Sequence, residues 1–202
     1  MGASSRQDFF DAHASGWEER NYTPEIRSRL QEMLRGFALR PGARVLDAGC
    51  GTGVLIPYLR ETVGPDGQIL ALDCSAEMLK WAGRKDAGRT VLLKAPAESL
   101  PLIEAYLDVI VCFSAFPHFR NKAQVAREFY RTLQPGGRAY VAHLSTRNEI
   151  NAHHDQYAAV AGDHLPSPDR MAALFSAAGF SWTHLDERPG WYLFTAEKEM
   201  MR

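Results

Sequence analysis

The chain is short of cysteine, of charge excess and of long apolar runs, and each shortage removes a class of protein. Its three cysteines, Cys50, Cys74 and Cys112, stand at wide spacings that suit neither a disulfide framework nor a zinc knuckle. Lys and Arg total 23 against 24 Asp and Glu, so the net charge of −1 leaves no basic footprint for a nucleic-acid partner. No apolar segment approaches the roughly 20 residues that span a bilayer. The opening Met1-Gly2-Ala3-Ser4-Ser5-Arg6 lacks the apolar run of a signal peptide, and Arg6 stands where a myristoylation signal needs Ser or Thr. The expectation is a cytoplasmic protein with neither membrane nor nucleic acid among its partners. A length of 202 residues with 46% hydrophobic content suffices for a single domain, 1–202, that buries about 70% of its unfolded surface.

What is present begins with Val45 to Gly53, Val-Leu-Asp-Ala-Gly-Cys-Gly-Thr-Gly. A β-prone lead-in meets Asp47, then glycines at alternate positions, then the amphipathic run from Val54. That is a buried strand turning tightly into a helix, with glycine permitting a ligand to approach the main chain. It implies a mononucleotide-type cofactor on the carboxyl edge of a sheet. A dinucleotide fingerprint would need a third glycine at 54 or 56, and Val54 and Ile56 stand there instead, which disfavours a nicotinamide oxidoreductase.

The rest of the chain alternates. Residues 7–22, rich in aromatic side chains, read as a short helix and an irregular segment outside the sheet. Thr23-Pro24-Glu25 starts a helix, with Thr as cap and Pro at the first position, and Arg40-Pro41-Gly42 ends it. Further helices are expected from about Thr52 to Val63, from Glu77 to about Ala87, from Asn121 to Leu133 and from Ser167 to Gly179. Strands are expected at Gln68–Asp73, Arg89–Lys94, Leu107–Phe113 and Arg138–Leu144, the last after a break at Gln134-Pro135-Gly136-Gly137. Ser181–Asp186 and Trp191–Glu197 close the chain as an antiparallel hairpin at one edge. Strands alternating with helices call for a parallel α/β sheet. Residues 145–166 remain unaccounted for and are too long for an ordinary connection, which suggests an insertion over the active site.

The Asp-x-Gly-x-Gly-x-Gly pattern resembles motif I of class I S-adenosylmethionine (SAM)-dependent methyltransferases. The likeness extends over roughly residues 20 to 198. It includes the acid Asp73 at the end of the second strand and Leu133-Gln134-Pro135-Gly136-Gly137 before the fifth. Asp8-Phe9-Phe10-Asp11 through Trp17 resembles the N-terminal segment of small-molecule methyltransferases, so 1–40 is expected to form a helical lid region. The resemblance implies a three-layer α/β sandwich with a doubly wound, mostly parallel seven-stranded sheet and the antiparallel C-terminal edge hairpin. It further implies that Asp47, Gly49, Gly51 and Gly53 hold the methionine end of the cofactor and that Asp73 takes both ribose hydroxyls. Cys50, Cys74 and Phe113 should line the cleft. Pro96-Ala97-Glu98 departs from the family's Asp-Ala, which leaves Ala97 and Glu98 as the adenine contacts.

The implied reaction is in-line transfer of a methyl group from SAM to a small-molecule acceptor, leaving S-adenosylhomocysteine. A histidine assists where the acceptor must lose a proton. The alternative reading is a non-catalytic SAM-binding regulatory protein. Phe113-Ser114-Ala115-Phe116 is not the Asn/Asp-Pro-Pro-Tyr of enzymes that methylate base amines. His118 and His143 are expected at carboxyl strand ends, and His153 and His154 in the insertion, all on the acceptor side. Imidazole and carboxylate suit Zn, Fe or Ni, yet adjacent histidines point apart and no standard ligand spacing is present, so no metal is assigned.

Overall fold

The computed structural model describes residues 6–86 and 89–200, with the side chain of Arg6 excepted. The chain before the sheet forms α1 (Arg6–His13), α2 (Trp17–Asn21) and α3 (Pro24–Arg35). The last starts as its sequence dictates, with the Thr23 hydroxyl accepting from the N–H of Ile26 and Pro24 at the first helical position. Then follow β1 (Arg44–Ala48), α4 (Ile56–Val63), β2 (Gln68–Asp73), α5 (Ala76–Ala82), β3 (Val91–Lys94) and β4 (Leu107–Phe113). A 3-10 turn over Phe116–His118 leads to α6 (Lys122–Thr132), β5 (Leu133–His143), α7 (Arg147–His154), α8 (Pro168–Ala178), β6 (Trp182–Arg188) and β7 (Trp191–Glu197).

The strands form one sheet in the order β3-β2-β1-β4-β5-β7-β6, parallel except for β7 against β5 and β6 against β7. The expected seven-stranded α/β sandwich with its antiparallel edge is what the chain builds. Alternation along the strands divides the core. Leu46, Leu70, Ile110 and Val141 face α6 and α8 through Phe129 and Phe175, whereas Val45, Ile69 and Val111 face α3 and α4 through Leu30, Met33 and Leu59. Both faces are covered, which is why the central strands read as nearly continuous apolar runs. From β1 the connections run one way to β2 and β3 and the other way to β4 and β5. The carboxyl ends of β1 and β4 therefore flank the switch point where such sheets bind ligands.

Several boundaries differ from the sequence reading. The helix after the glycine loop starts at Ile56 because residues 52–55 are spent on turns. The next helix ends at Ala82, short of Ala87, which itself lies outside the described residues, as does the chain opening 1–5. Pro135-Gly136-Gly137 bulges β5 rather than stopping it: Leu133 pairs with Leu107 and Arg138 with Val109, and Gly136 has φ 78°. Within 145–166 the chain forms α7, opened by a capping box in which Thr146 and Glu149 bond each other's backbone N–H groups.

Candidate functional site

A cleft of about 540 Å³ lies over the carboxyl ends of β1, β2 and β4. Its floor is the glycine loop. Gly49 and Cys50 donate backbone N–H groups to Leu72 O at 2.8 and 2.9 Å, which draws the loop across to β2. At Gly49 a Cβ would stand 2.4 Å from that of Ala115, so only glycine lets the loop pass beneath the turn after β4. Gly51 is different: a Cβ there would meet nothing within 4 Å and would project into the space where a ligand belongs.

Two acids mark this end of the cleft. Asp73 Oδ2 accepts the N–H of Gly51 at 2.9 Å and Oδ1 that of Ser75 at 2.8 Å, so the side chain joins the two loops. Burial raises its carboxyl above the ordinary value, against the pull of those N–H groups. Asp47 is almost wholly buried, and its Oδ2 has no hydrogen-bond partner among the described residues. Burial, followed by the charge of Asp73, pushes its carboxyl up to about 8. A buried acid with an unused oxygen beside a second acid suits a ligand that brings hydroxyls and a cationic amine, and the aminoacyl nucleoside SAM carries both.

The other walls come from three places. Phe10, Trp17 and Tyr22 close over the cleft from α1, α2 and the residue after α2. Phe113 and His118 follow from β4 and the turn beyond it, where Ser114 takes a positive φ of 52°. Ala97 and Glu98 line the side beyond β3. Glu98 Oε1 accepts the backbone N–H groups of Arg120 and Asn121 at 2.9 and 3.1 Å, so it also braces the turn that carries His118.

Of the residues expected at the cofactor, Asp47, Gly49, Cys50, Gly51 and Asp73 line this one cavity, and so do Cys74, Ala97, Glu98 and Phe113. Gly53 does not. A Cβ on it would lie 2.9 Å from Ala82 Cα and 2.7 Å from Ile56 Cδ1, so the residue serves the packing of α5 on the loop. The Cys50 thiol is buried and burial pushes it well above its ordinary value, which leaves it an inert wall.

The four histidines separate. His118 lines the cleft. His154 lies against it, ring centroids 4.8 Å apart, and His153 is exposed beside Tyr157. His143 is buried beneath them, its Nε2 without a partner among the described residues, and burial pushes it down to about 3. Of the four, only His118 lines the cleft; His143, His153 and His154 do not. Sequence reasoning missed Asp163, a buried acid whose Oδ2 lies 2.8 Å from His118 Nδ1. It is 45 residues away in the chain, in a segment without periodicity to expose it. It also missed Phe10 and Tyr22 as walls, although the aromatic richness of 7–22 was the available signal. Among the described residues no group of three or more His, Cys, Asp or Glu could hold a metal ion.

A doubly wound sheet with a glycine loop at its switch point and an acid on the neighbouring strand defines a Rossmann-like domain for a nucleoside cofactor. Residues 46–141 match the methyltransferase domain family. The ubiquinone/menaquinone biosynthesis C-methyltransferase of Edwardsiella ictaluri is 31% identical over 180 residues, covering 75% of this chain and 72% of that protein. Against two further curated quinone C-methyltransferases the aligned part spans less than half their length, 44% and 43%. Among solved structures, a chain from the complex between the Haloferax volcanii Trm112 methyltransferase activator and a methyltransferase superposes with a TM-score of 0.77. The identity is 21%, over 94% of this chain and 97% of that one. A SAM-dependent methyltransferase from Aquifex aeolicus does so with 0.69 at 21% identity, over 93% and 96%. The chain belongs to the class I SAM-dependent methyltransferase family, whose cofactor is S-adenosylmethionine. Among the described residues no helix is long and apolar enough to cross a membrane.

Proposed function

We propose that this methyltransferase acts on a small-molecule acceptor, within one domain whose first two helices cover the cleft and whose 145–166 insertion braces His118 from behind. The observation that carries the reading is that the two acids and His118 open onto one cavity, roofed by Phe10, Trp17 and Tyr22. Asp47, Gly49 and Gly51 would surround the aminoacyl end of the cofactor and Asp73 its ribose, while Ala97 and Glu98 face the base. When bound, SAM supplies an electrophilic methyl group. The chain's own contribution is to hold the acceptor in line, exclude water and receive a proton, of which alignment alone can supply up to roughly 7–11 kcal/mol. His118 is the group placed to take that proton. Aromatic walls favour a flat, largely apolar acceptor, and the quinone-pathway names of the curated relatives make quinol precursors the first compounds to test.

Calorimetric titration with S-adenosylhomocysteine tests the cofactor half of the reading. Asp73→Ala should weaken binding by about 1–3 kcal/mol, because the ribose hydroxyls lose a charged partner. Unchanged affinity would remove the assignment. Transfer of labelled methyl to a panel of hydroxylated aromatics tests the rest, and binding without turnover on any acceptor would favour a SAM-binding regulator.

A further inference from the structure

His118 is held more tightly than a cavity wall needs. Its backbone N–H donates to Ala115 O at 3.0 Å, and its ring is flanked by Phe10 of the lid, edge-on with centroids 5.2 Å apart, and by His154 of the insertion. Its Nδ1 lies 2.8 Å from Oδ2 of Asp163, which is only 4% exposed. Asp163 is itself fixed. Its N–H donates to Val160 O at 2.9 Å, and its carbonyl accepts from His154 Nδ1. Asn151 ties α7 to the same loop by exchanging two hydrogen bonds with the backbone of Leu165, at 2.8 and 3.1 Å. The insertion thus delivers one carboxylate oxygen to one ring nitrogen.

We propose that Asp163 is the positioning residue that makes His118 the proton acceptor of this site. The acceptor molecule must then carry a proton on the group that gains the methyl, as a hydroxyl or an acidic carbon does. The proposal deepens the methyl-transfer reading above and rests on it. A carboxylate oxygen only accepts, so the nitrogen facing it bears the hydrogen. Nε2, which has no hydrogen-bond partner among the described residues, is left with its lone pair. The acceptor's proton passes to Nε2 while its own electron pair forms the new bond to methyl. The S–CH₃ bond breaks with its pair retained on sulfur, and the imidazolium afterwards releases the proton to solvent. Asp163 offsets the charge that forms on the ring, in the manner of the orienting acid in Ser-His-Asp sites. An acceptor that attacks through a free lone pair with no proton to lose would need no such arrangement.

The test reads the ring directly. Long-range ¹⁵N–¹H spectra of the full chain saturated with S-adenosylhomocysteine should show His118 as the Nδ1–H tautomer. Asp163→Asn, whose amide can donate to Nδ1, should move it to Nε2–H, with S-adenosylhomocysteine affinity within about twofold of the unsubstituted protein. On an acceptor found in the panel above, the same variant should lose roughly 10²–10⁴-fold in kcat with little change in KM. An Nε2–H tautomer in the unsubstituted protein, or an Asp163→Asn enzyme with full kcat, would overturn the proposal. The first measurement needs no variant, so it decides the matter even where Asp163→Asn fails to fold. Failure to bind S-adenosylhomocysteine at all would instead remove the underlying methyltransferase reading.

Discussion

His143 shows how far a residue's chemistry departs from its composition. As a histidine at a carboxyl strand end it is a candidate base, but β5 and β7 pair it with Tyr192 in a dry layer where its Nε2 finds no partner among the described residues. Burial, then the nearby His118 and His154, holds it neutral down to about pH 3. Between its ordinary value of 6.5 and that point the unfolded chain binds a proton that the folded chain refuses. Stability contributed by the neutral ring is therefore complete above pH 6.5 and is lost as pH falls, at about 1.4 kcal/mol per pH unit. His143→Leu should leave stability at pH 7 within about 1 kcal/mol, since an orphaned polar atom gives way to an apolar one. It should also flatten the acid limb. Asp47 has the opposite sign, its folded form holding a proton up to about pH 8, but it is common to both proteins and cancels in the difference. Urea unfolding at pH 7.0, 5.5 and 4.5 supplies the comparison, and an acid limb equally steep in both would refute the account.

At the scale of elements, two glycines two residues apart carry different duties. Gly51 and Gly53 have φ of 53° and 81°, so alanine is strained at either. At Gly53 the added methyl also meets Ala82 and Ile56 and would lift α5 from the loop, which should cost about 2–4 kcal/mol in urea unfolding. At Gly51 it meets only open space, so Gly51→Ala should lose about 1 kcal/mol or less of stability while S-adenosylhomocysteine affinity drops at least tenfold. Equal losses of stability in the two variants would contradict this division. The spacing of the glycines was legible in the sequence and their duties were not, because a missing Cβ matters only through what lies opposite it. Caps were legible for the same reason in reverse: Thr23 and Asn121 act on residues three away, and both structures formed where expected. The bulge in β5 reads as a stop in the sequence because Pro-Gly-Gly says only that the chain bends, and the pairing of Leu107 with Leu133 between β4 and β5 is not local information. Asp163 was hidden likewise, its partner His118 being brought to it by tertiary packing alone.

For the whole molecule, the sheet order follows from the βα rhythm, whereas the closing of the cleft depends on contacts between distant segments. The N-terminal helices are latched to the glycine loop and to the turn after β2. Asp11 of α1 accepts from the Ser75 hydroxyl, next to Asp73. Glu18 of α2 meets Thr52 Oγ1 at 3.0 Å, Lys85 Nζ at 2.7 Å and Arg27 at 2.8 Å. Burial alone would raise the Glu18 carboxyl, but Arg27, Lys85 and Thr52 outweigh it and hold it below its ordinary 4.5. The latch therefore persists above that pH and opens only as pH falls through the lowered value. Thr52 lies between Gly51 and Gly53, so a ligand seated on the glycine loop is expected to couple to the latch, each favouring the other. Glu18→Gln keeps the shape and removes the charge. It should weaken S-adenosylhomocysteine about fivefold, equivalent to about 1 kcal/mol for a partly exposed cluster. Limited proteolysis within 13–22 should also quicken in the ligand-free protein, while saturating ligand should slow cleavage in both proteins. One molar salt, which screens such pairs, should bring the unsubstituted protein toward the variant. Cleavage at equal rates with and without ligand, or an affinity indifferent to both substitution and salt, would mean that the lid and the cofactor loop close independently.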